Sequence, residues 1–145
     1  MQRISVPVTV AEVEDAVRRY WSAAASKLAA ELQSFYLETA SIFATMSKRL
    51  EPARLVTARR NREYMDSASR ISYQLGVINV DLLTNESAVA AYNTRWRAEQ
   101  ILKPSAKGEK TSTENFTHLR VSHVFQRQDD GSLKIIHEHL SVASE

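Results

Sequence analysis

The sequence predicts an α+β domain in which N-terminal helices pack on one face of a curved, meandering sheet, and three observations carry that expectation. Apolar residues recur at helical spacing through the first part of the chain, the period changes to two from Ser69 onward, and no linker divides the 145 residues. One domain over residues 1–145, built around one core, is the consequence. Hydrophobic residues at 43% and charged residues at 25% are ordinary globular proportions and exclude a disordered or fibrous chain.

Each element has its own signal. Thr9 followed by Glu12 has the spacing of a capping box, and Val8 and Val13 stand where a hydrophobic staple closes a first turn. Val13, Ala16, Val17, Tyr20, Ala24 and Leu28 then give the first helix a buried face, while Glu12, Arg18 and Arg19 face water. After a bend near Ser26 or Lys27, the stripe Leu28, Leu32, Phe35 and Tyr36 predicts a second helix. Residues 41–46, SIFATM, are rich in strand formers and read as the first strand. Glu51-Pro52 opens another helix, the proline at its first position, running to Asp66.

The later elements alternate. Ile71, Tyr73 and Leu75 and then Ile78, Val80 and Leu82 change phase at Gly76-Val77, which predicts a bulge or sharp bend. Asn85-Glu86 marks a turn. The strand from Ser87 to Ile101 places Ala90, Tyr92, Thr94 and Trp96 on one face and Asn93, Arg95 and Arg97 on the other. Lys103 to Glu114 reads as a mobile loop, and Phe116–Gln128 and Leu133–Val142 as the last two strands, joined by the turn Asp129-Asp130-Gly131. Helices first and four or five antiparallel strands afterwards make a sheet that closes into a cone when strongly bent.

Composition and motifs exclude several functions. A net charge of +2 is too small to imply nucleic acid. Arg54, Arg59, Arg60 and Arg62, near Lys48 and Arg49, are the densest basic region; with no matching stripe elsewhere they read as a solvated helix face. Cysteine is absent, so there is no disulfide framework and no thiol nucleophile. The N-terminus lacks the apolar region of a secretory signal and no run is long enough to span a bilayer, so a cytoplasmic protein without membrane contact is expected. Gly-rich phosphate loops, G-x-S-x-G and H-E-x-x-H are missing, which disfavours nucleotide hydrolysis and serine hydrolase chemistry. No cofactor is expected.

The stretch Arg120-Val-Ser-His-Val-Phe, then Asp130-Gly131, then Leu133-Lys-Ile-Ile-His-Glu-His-Leu-Ser141 resembles the end of SnoaL-like proteins of the nuclear-transport-factor-2-like superfamily. It is similar also to the calcium/calmodulin-dependent kinase association domain. In those families an R-x-T-x-V-F strand leads through a D-G hairpin to W-K-I-V-H-x-H-x-S; here Leu133 replaces the tryptophan and the hairpin is one residue longer. The resemblance implies a cystatin-like cone of antiparallel strands, a small-molecule pocket between its concave face and the helices, and a homodimer through the other face. It implies no particular reaction.

Two registers of the last hairpin give two candidate sites. A two-residue turn at Asp130-Gly131 puts His123 directly across from Glu138, a His–carboxylate pair suited to general acid–base work. A three-residue loop instead puts His123 opposite His137 and gives Glu138 a face in common with Arg120. In either case the bland reading is an ion pair that merely holds the sheet. Tyr92, Trp96, Tyr36 and Tyr20 supply the aromatic surface a ligand needs, and are equally what a core needs; the strand of Tyr92 and Trp96 corresponds to a pocket-lining strand in the resembling families. His137 and His139 form an H-x-H with no third ligand fixed by spacing, and the resemblance places them in the dimer contact, so no metal site is expected. The function expected is isomerisation, cyclisation or dehydration of a small apolar or aromatic carbonyl compound by proton transfer. His123 would be base or acid, Glu138 or Arg120 its electrostatic partner, and Tyr92 or Tyr36 the donor to a developing enolate. The alternative is a non-catalytic ligand-binding or homo-oligomerisation module.

Overall fold

A computed structural model describes residues 6–45, 47–65, 69–101, 111–112 and 116–143. Met46, Asp66 and most of the loop expected at Lys103 to Glu114 lie outside the described residues. Helix α1, Val10–Ala25, begins as its sequence signature requires: Thr9 Oγ1 accepts from the Glu12 amide at 3.2 Å and Glu12 Oε1 accepts from the Thr9 amide at 3.4 Å. It ends in a Schellman motif, the Leu28 amide donating to the Ala23 carbonyl and the Lys27 amide to the Ala24 carbonyl, with Lys27 in the left-handed region at φ 58°. Its buried face, Val13, Ala16, Val17, Tyr20, Trp21, Ala23 and Ala24, is the apolar stripe. Each large side chain so buried stabilises the fold by roughly 1.5–3 kcal/mol.

Helix α2 is short, Ala29–Ser34, and strand β1, Tyr36–Phe43, follows at once. This corrects two expectations: Tyr36 opens a strand rather than closing a helix, and the strand starts before residue 41. The cause is distant pairing. The Ile135 amide donates to the Phe35 carbonyl at 2.8 Å, and Tyr36 lies beside Ile135 in a parallel ladder with β8, Leu133–Val142. The sheet is therefore mixed, not wholly antiparallel. The two-residue strand β2, Glu51–Pro52, pairs with β1, and helix α3, Ala53–Arg60, follows with Pro52 as its N-cap rather than its first residue. A π-helical turn, Asn61–Met65, extends it.

The remaining strands are β3, Ser69–Leu75, β4, Asn79–Leu82, β5, Ser87–Ile101, β6, Thr111–Ser112, and β7, Thr117–Arg127. They complete a sheet in the order β2-β1-β8-β7-β5-β3, with β4 and β6 also on β5. The break between β3 and β4 falls at Gly76, whose amide donates to the Asn93 carbonyl at 2.8 Å; a β-carbon there would stand 2.9 Å from that oxygen. Across the break Leu75 faces Thr94 and Asn79 faces Ala91, a register shift of one, as the change of phase predicts.

The last hairpin combines both registers. Near the turn, Arg127 faces Leu133 and Phe125 faces Ile135; farther on, Val124 faces His137 and His123 faces Glu138. Ile136 is the extra residue, a β-bulge that moves the ladder on by one and turns Glu138 rather than His137 to the concave side. Arg127 fixes this hairpin to the start of α1. Its two terminal nitrogens each reach a Glu12 oxygen at 2.6 Å and its Nε donates to the Val6 carbonyl at 3.1 Å. The Arg127 hydrogen bonds hold the Glu12 carboxyl below its ordinary range against the opposing effect of burial. No helix among the described residues is long and apolar enough to cross a membrane.

Candidate functional site

The three helices and the concave face of the sheet enclose a cavity of about 640 Å³. Ala24, Leu32, Val56, Ile71, Leu119 and Leu140 are among its apolar walls, and Trp21 and Trp96, the only tryptophans of the chain, both line it. Its polar lining includes two clusters, a half-exposed rim of Ser47, Glu51 and Arg59 and a buried inner end of Tyr20, Tyr36 and Arg60, with Thr57, Asn61 and Glu63 also on the wall.

At the inner end every hydroxyl has an assigned role. Tyr36 donates to Glu138 Oε1 at 2.7 Å; its one hydrogen being spent, the 2.7 Å contact with Tyr20 is a bond donated by Tyr20. Arg60 Nη1 lies 3.2 Å from Glu138 Oε2. His123 and Glu138, both with no exposed side-chain surface, approach at 3.2 Å between Nδ1 and Oε1, out of line for a straight hydrogen bond and so an electrostatic contact. On the other side of the ring, Nε2 is 2.7 Å from the Tyr92 hydroxyl, which accepts from Trp21 Nε1 at 2.8 Å. If Tyr92 spends its hydrogen on Nε2, the Tyr92 and Trp21 donors are both satisfied, and a single imidazole proton stands on Nδ1, in electrostatic contact with the carboxylate. Tyr20 meets the same ring edge-on, 5.4 Å between centroids.

The cluster sets the charge state of its members. Burial alone would push the Glu138 carboxyl up, but Arg60, His123 and Tyr36 outweigh it and hold the group at about 2. Burial raises the Tyr20, Tyr36 and Tyr92 phenols above their ordinary range. Burial works against the charge of Arg60, yet Glu138 and the two tyrosines hold it more firmly protonated than usual. The inner end therefore presents neutral phenols and a guanidinium to the cavity; the Tyr36 and Tyr20 hydrogens are engaged with Glu138 and Tyr36, while the guanidinium has N–H groups to spare.

Of the residues singled out by sequence, the structure joins His123, Glu138, Tyr36, Tyr20 and Tyr92 in one network and places Trp96 on the cavity wall. His123, Glu138 and Tyr92 do not line the cavity; they stand one layer behind Tyr20, Tyr36 and Arg60. Arg120 is apart from them, exposed on the outer face with its Nε donating to Ser141 Oγ at 3.1 Å, so the register that would join it to Glu138 is not the one adopted. His137 and His139 are on that outer face too, against Phe43, with Ser41 Oγ 3.0 Å from His137 Nδ1. Among the described residues no three His, Asp or Glu side chains converge as metal ligands would.

Sequence reasoning missed Arg60, which it left on a solvated face. The signal was present: Ala53, Val56, Thr57 and Arg60 recur at i, i+3, i+4 and i+7, and the first three are buried. Arg59 was misjudged too, since its two terminal nitrogens bind the two Glu51 oxygens at 2.9 and 3.0 Å.

Residues 13–145 match the SnoaL-like domain family. No curated protein matches the chain. Among solved structures, a candidate dehydratase of the nuclear-transport-factor-2-like family from Streptomyces avermitilis is similar at 17% identity and a TM-score of 0.76, over 94% of this chain and 97% of that one. A candidate calcium/calmodulin-dependent protein kinase II association domain from Xanthomonas campestris matches at 19% identity and a TM-score of 0.71, over 100% and 99%. A protein from Catenulispora acidiphila in complex with S-DNPA matches at 15% identity and 0.66, over 91% of each chain. At such identities the likeness shows the fold.

Proposed function

The chain belongs to the SnoaL-like domain family, and from that premise we propose that its cavity receives a small apolar or aromatic carbonyl compound and promotes proton transfer on it. The observation that carries this reading is the inner end, where groups in fixed protonation states meet a mainly apolar cavity of about 640 Å³. A carbonyl oxygen placed there meets the Arg60 guanidinium, a donor already in position that needs no reorganisation when negative charge develops on oxygen, and the Tyr20 hydroxyl, which donates to it by turning its one hydrogen away from Tyr36. A proton on the neighbouring carbon becomes more acidic and passes to a solvent base, water or hydroxide, entering from the open side of the cavity, which is the shared first step of isomerisation, cyclisation and dehydration of such compounds. His123 acts through Glu138, keeping Tyr36 and Arg60 in place rather than touching the ligand. A candidate dehydratase and a complex with S-DNPA among the similar folds support a small-molecule role.

The test is hydrogen exchange at carbon. Aromatic methyl ketones incubated with the protein in deuterium oxide should exchange their α-protons at least ~100-fold faster than in buffer, followed by proton NMR. Tyr20→Phe should slow the exchange by roughly tenfold or more through loss of one donor. Buffer-level exchange, with the fluorescence of Trp21 and Trp96 unchanged by any ketone, would remove the proposal.

A further inference from the structure

The inner end of the cavity offers more than a donor for one oxygen. Among the described residues every side-chain hydrogen bond of Arg60 runs from Nη1: to Glu138 at 3.2 Å, and to the Tyr20 and Tyr36 oxygens at 3.5 Å. A guanidinium carries five N–H donors in a planar fork. The edge formed by Nη2 and Nε thus has no acceptor among the described residues, although the side chain lines the cavity and is 23% exposed. That edge has the spacing of the two oxygens of a carboxylate. The cavity walls are mainly apolar, with Thr57, Asn61, Glu63 and the rim residues as polar exceptions, so a molecule filling the space would be one acidic group on a mainly hydrocarbon or aromatic body.

Resting on the reading that this cavity takes a small apolar carbonyl compound, we infer that the compound also carries a carboxylate, gripped by the Nη2–Nε edge of Arg60, and that its entry loads a proton onto His123. The second part follows from charge. The groups facing His123 are Glu138 from β8, Tyr92 from β5 and Tyr20 from α1, while Tyr36 from β1 and Arg60 from α3 face it across Glu138. The phenols are neutral, so with a single proton on the His123 ring and no ligand one guanidinium balances one carboxylate. A second carboxylate leaves the cluster with a net negative charge away from water, which is strongly unfavourable unless something compensates. His123 can do so. Its Nδ1 already lies against Glu138, and Nε2 turns from acceptor to donor once the Tyr92 hydroxyl rotates. The Tyr92 oxygen has two lone pairs, enough for the imidazolium and for Trp21 together, at the cost of the acceptor its own hydrogen had in Nε2. The proton comes from bulk water, and imidazole is the side chain whose charge ordinarily changes near neutral pH.

Matched probes separate the claims. Benzoate with benzamide, and 2-naphthoate with 2-naphthamide, would be titrated by calorimetry and by Trp21 and Trp96 fluorescence, in phosphate and in Tris, whose differing ionisation heats report proton uptake. The acids should bind about tenfold or more tightly than the amides, with about one proton taken up per ligand near neutral pH. His123→Gln should abolish the uptake. The double variant R60M/E138Q, which removes both buried charges and so avoids leaving one unpaired, should keep its circular dichroism and lose the preference for acids. Amides binding as well as acids would sink the carboxylate while leaving the carbonyl reading intact. A preference for acids that survives in R60M/E138Q would assign it elsewhere and overturn the inference, and uptake that persists in His123→Gln would overturn its proton half. Binding of neither class would end both readings.

Discussion

Arg59 and Arg60 are neighbours on one helix and each holds a glutamate, yet the two pairs live in different solvents. At the rim, Arg59 grips Glu51 with both terminal nitrogens while their side chains remain 38% and 23% exposed. At the inner end, Arg60 makes one contact with a Glu138 that has no exposed surface. The better hydrogen-bond geometry belongs to the pair that matters less. Water and salt screen the rim pair, whereas Glu138 has given up its hydration and depends on Arg60, Tyr36 and His123 to replace it. An ion pair counts for what would be left behind if one partner were removed.

Breaking the inner pair should have the largest effect. Arg60→Ala leaves a buried carboxylate without its cation and should cost about 3–5 kcal/mol in urea unfolding, with R60M/E138Q recovering much of that loss. A recovery absent in the double variant would place the damage in packing rather than charge.

Acid sharpens the comparison. Glu138 is held at about 2, below its ordinary 4.5, so its contribution to stability is complete above 4.5 and is lost as pH falls toward 2. Glu51 is also held at about 2, by Arg59 and Ser47, and loses its contribution in the same direction. The difference lies in screening. Urea midpoints measured from pH 5 to 2 should fall less steeply in Glu138→Gln than in the unaltered protein, and the contrast should survive 1 M salt, about a 3 Å Debye length. Glu51→Gln should change the slope little, and not at all in high salt. The smallest effect is expected for Arg59→Ala, whose urea midpoint should be hard to separate from that of the unaltered protein.

The same contrast between local and distant causes explains what could be read in advance. Thr9, Glu12 and the stripe from Val13 to Ala24 announce α1 because caps and helical period are local. Gly76 announces the break between β3 and β4 because only a residue without a β-carbon fits against Asn93. The start of β1 at Tyr36 is not local; it is imposed by parallel pairing with Ile135, about a hundred residues away in the chain. Ile136 is equally silent, since isoleucine suits a bulge or a regular strand and nothing in its neighbours says which. That one residue decides whether Glu138 or His137 reaches His123, so the composition of the site was legible as two alternatives and its choice was not. Arg60 was legible, but the density of arginines around it drew attention to charge when the useful pattern was the helical period of Ala53, Val56 and Thr57.

The central claim is that the donors of the inner end receive the ligand's oxygen while His123 and Glu138 support them from behind. A crystal structure with a bound aromatic ketone tests it most directly. The account predicts the carbonyl oxygen about 2.7–3.1 Å from the Tyr20 hydroxyl or a nitrogen of Arg60, with the ring against Trp96 and Ile71. A ketone lying at the rim against Arg59 and Glu51, its oxygen far from Tyr20 and Arg60, would contradict it.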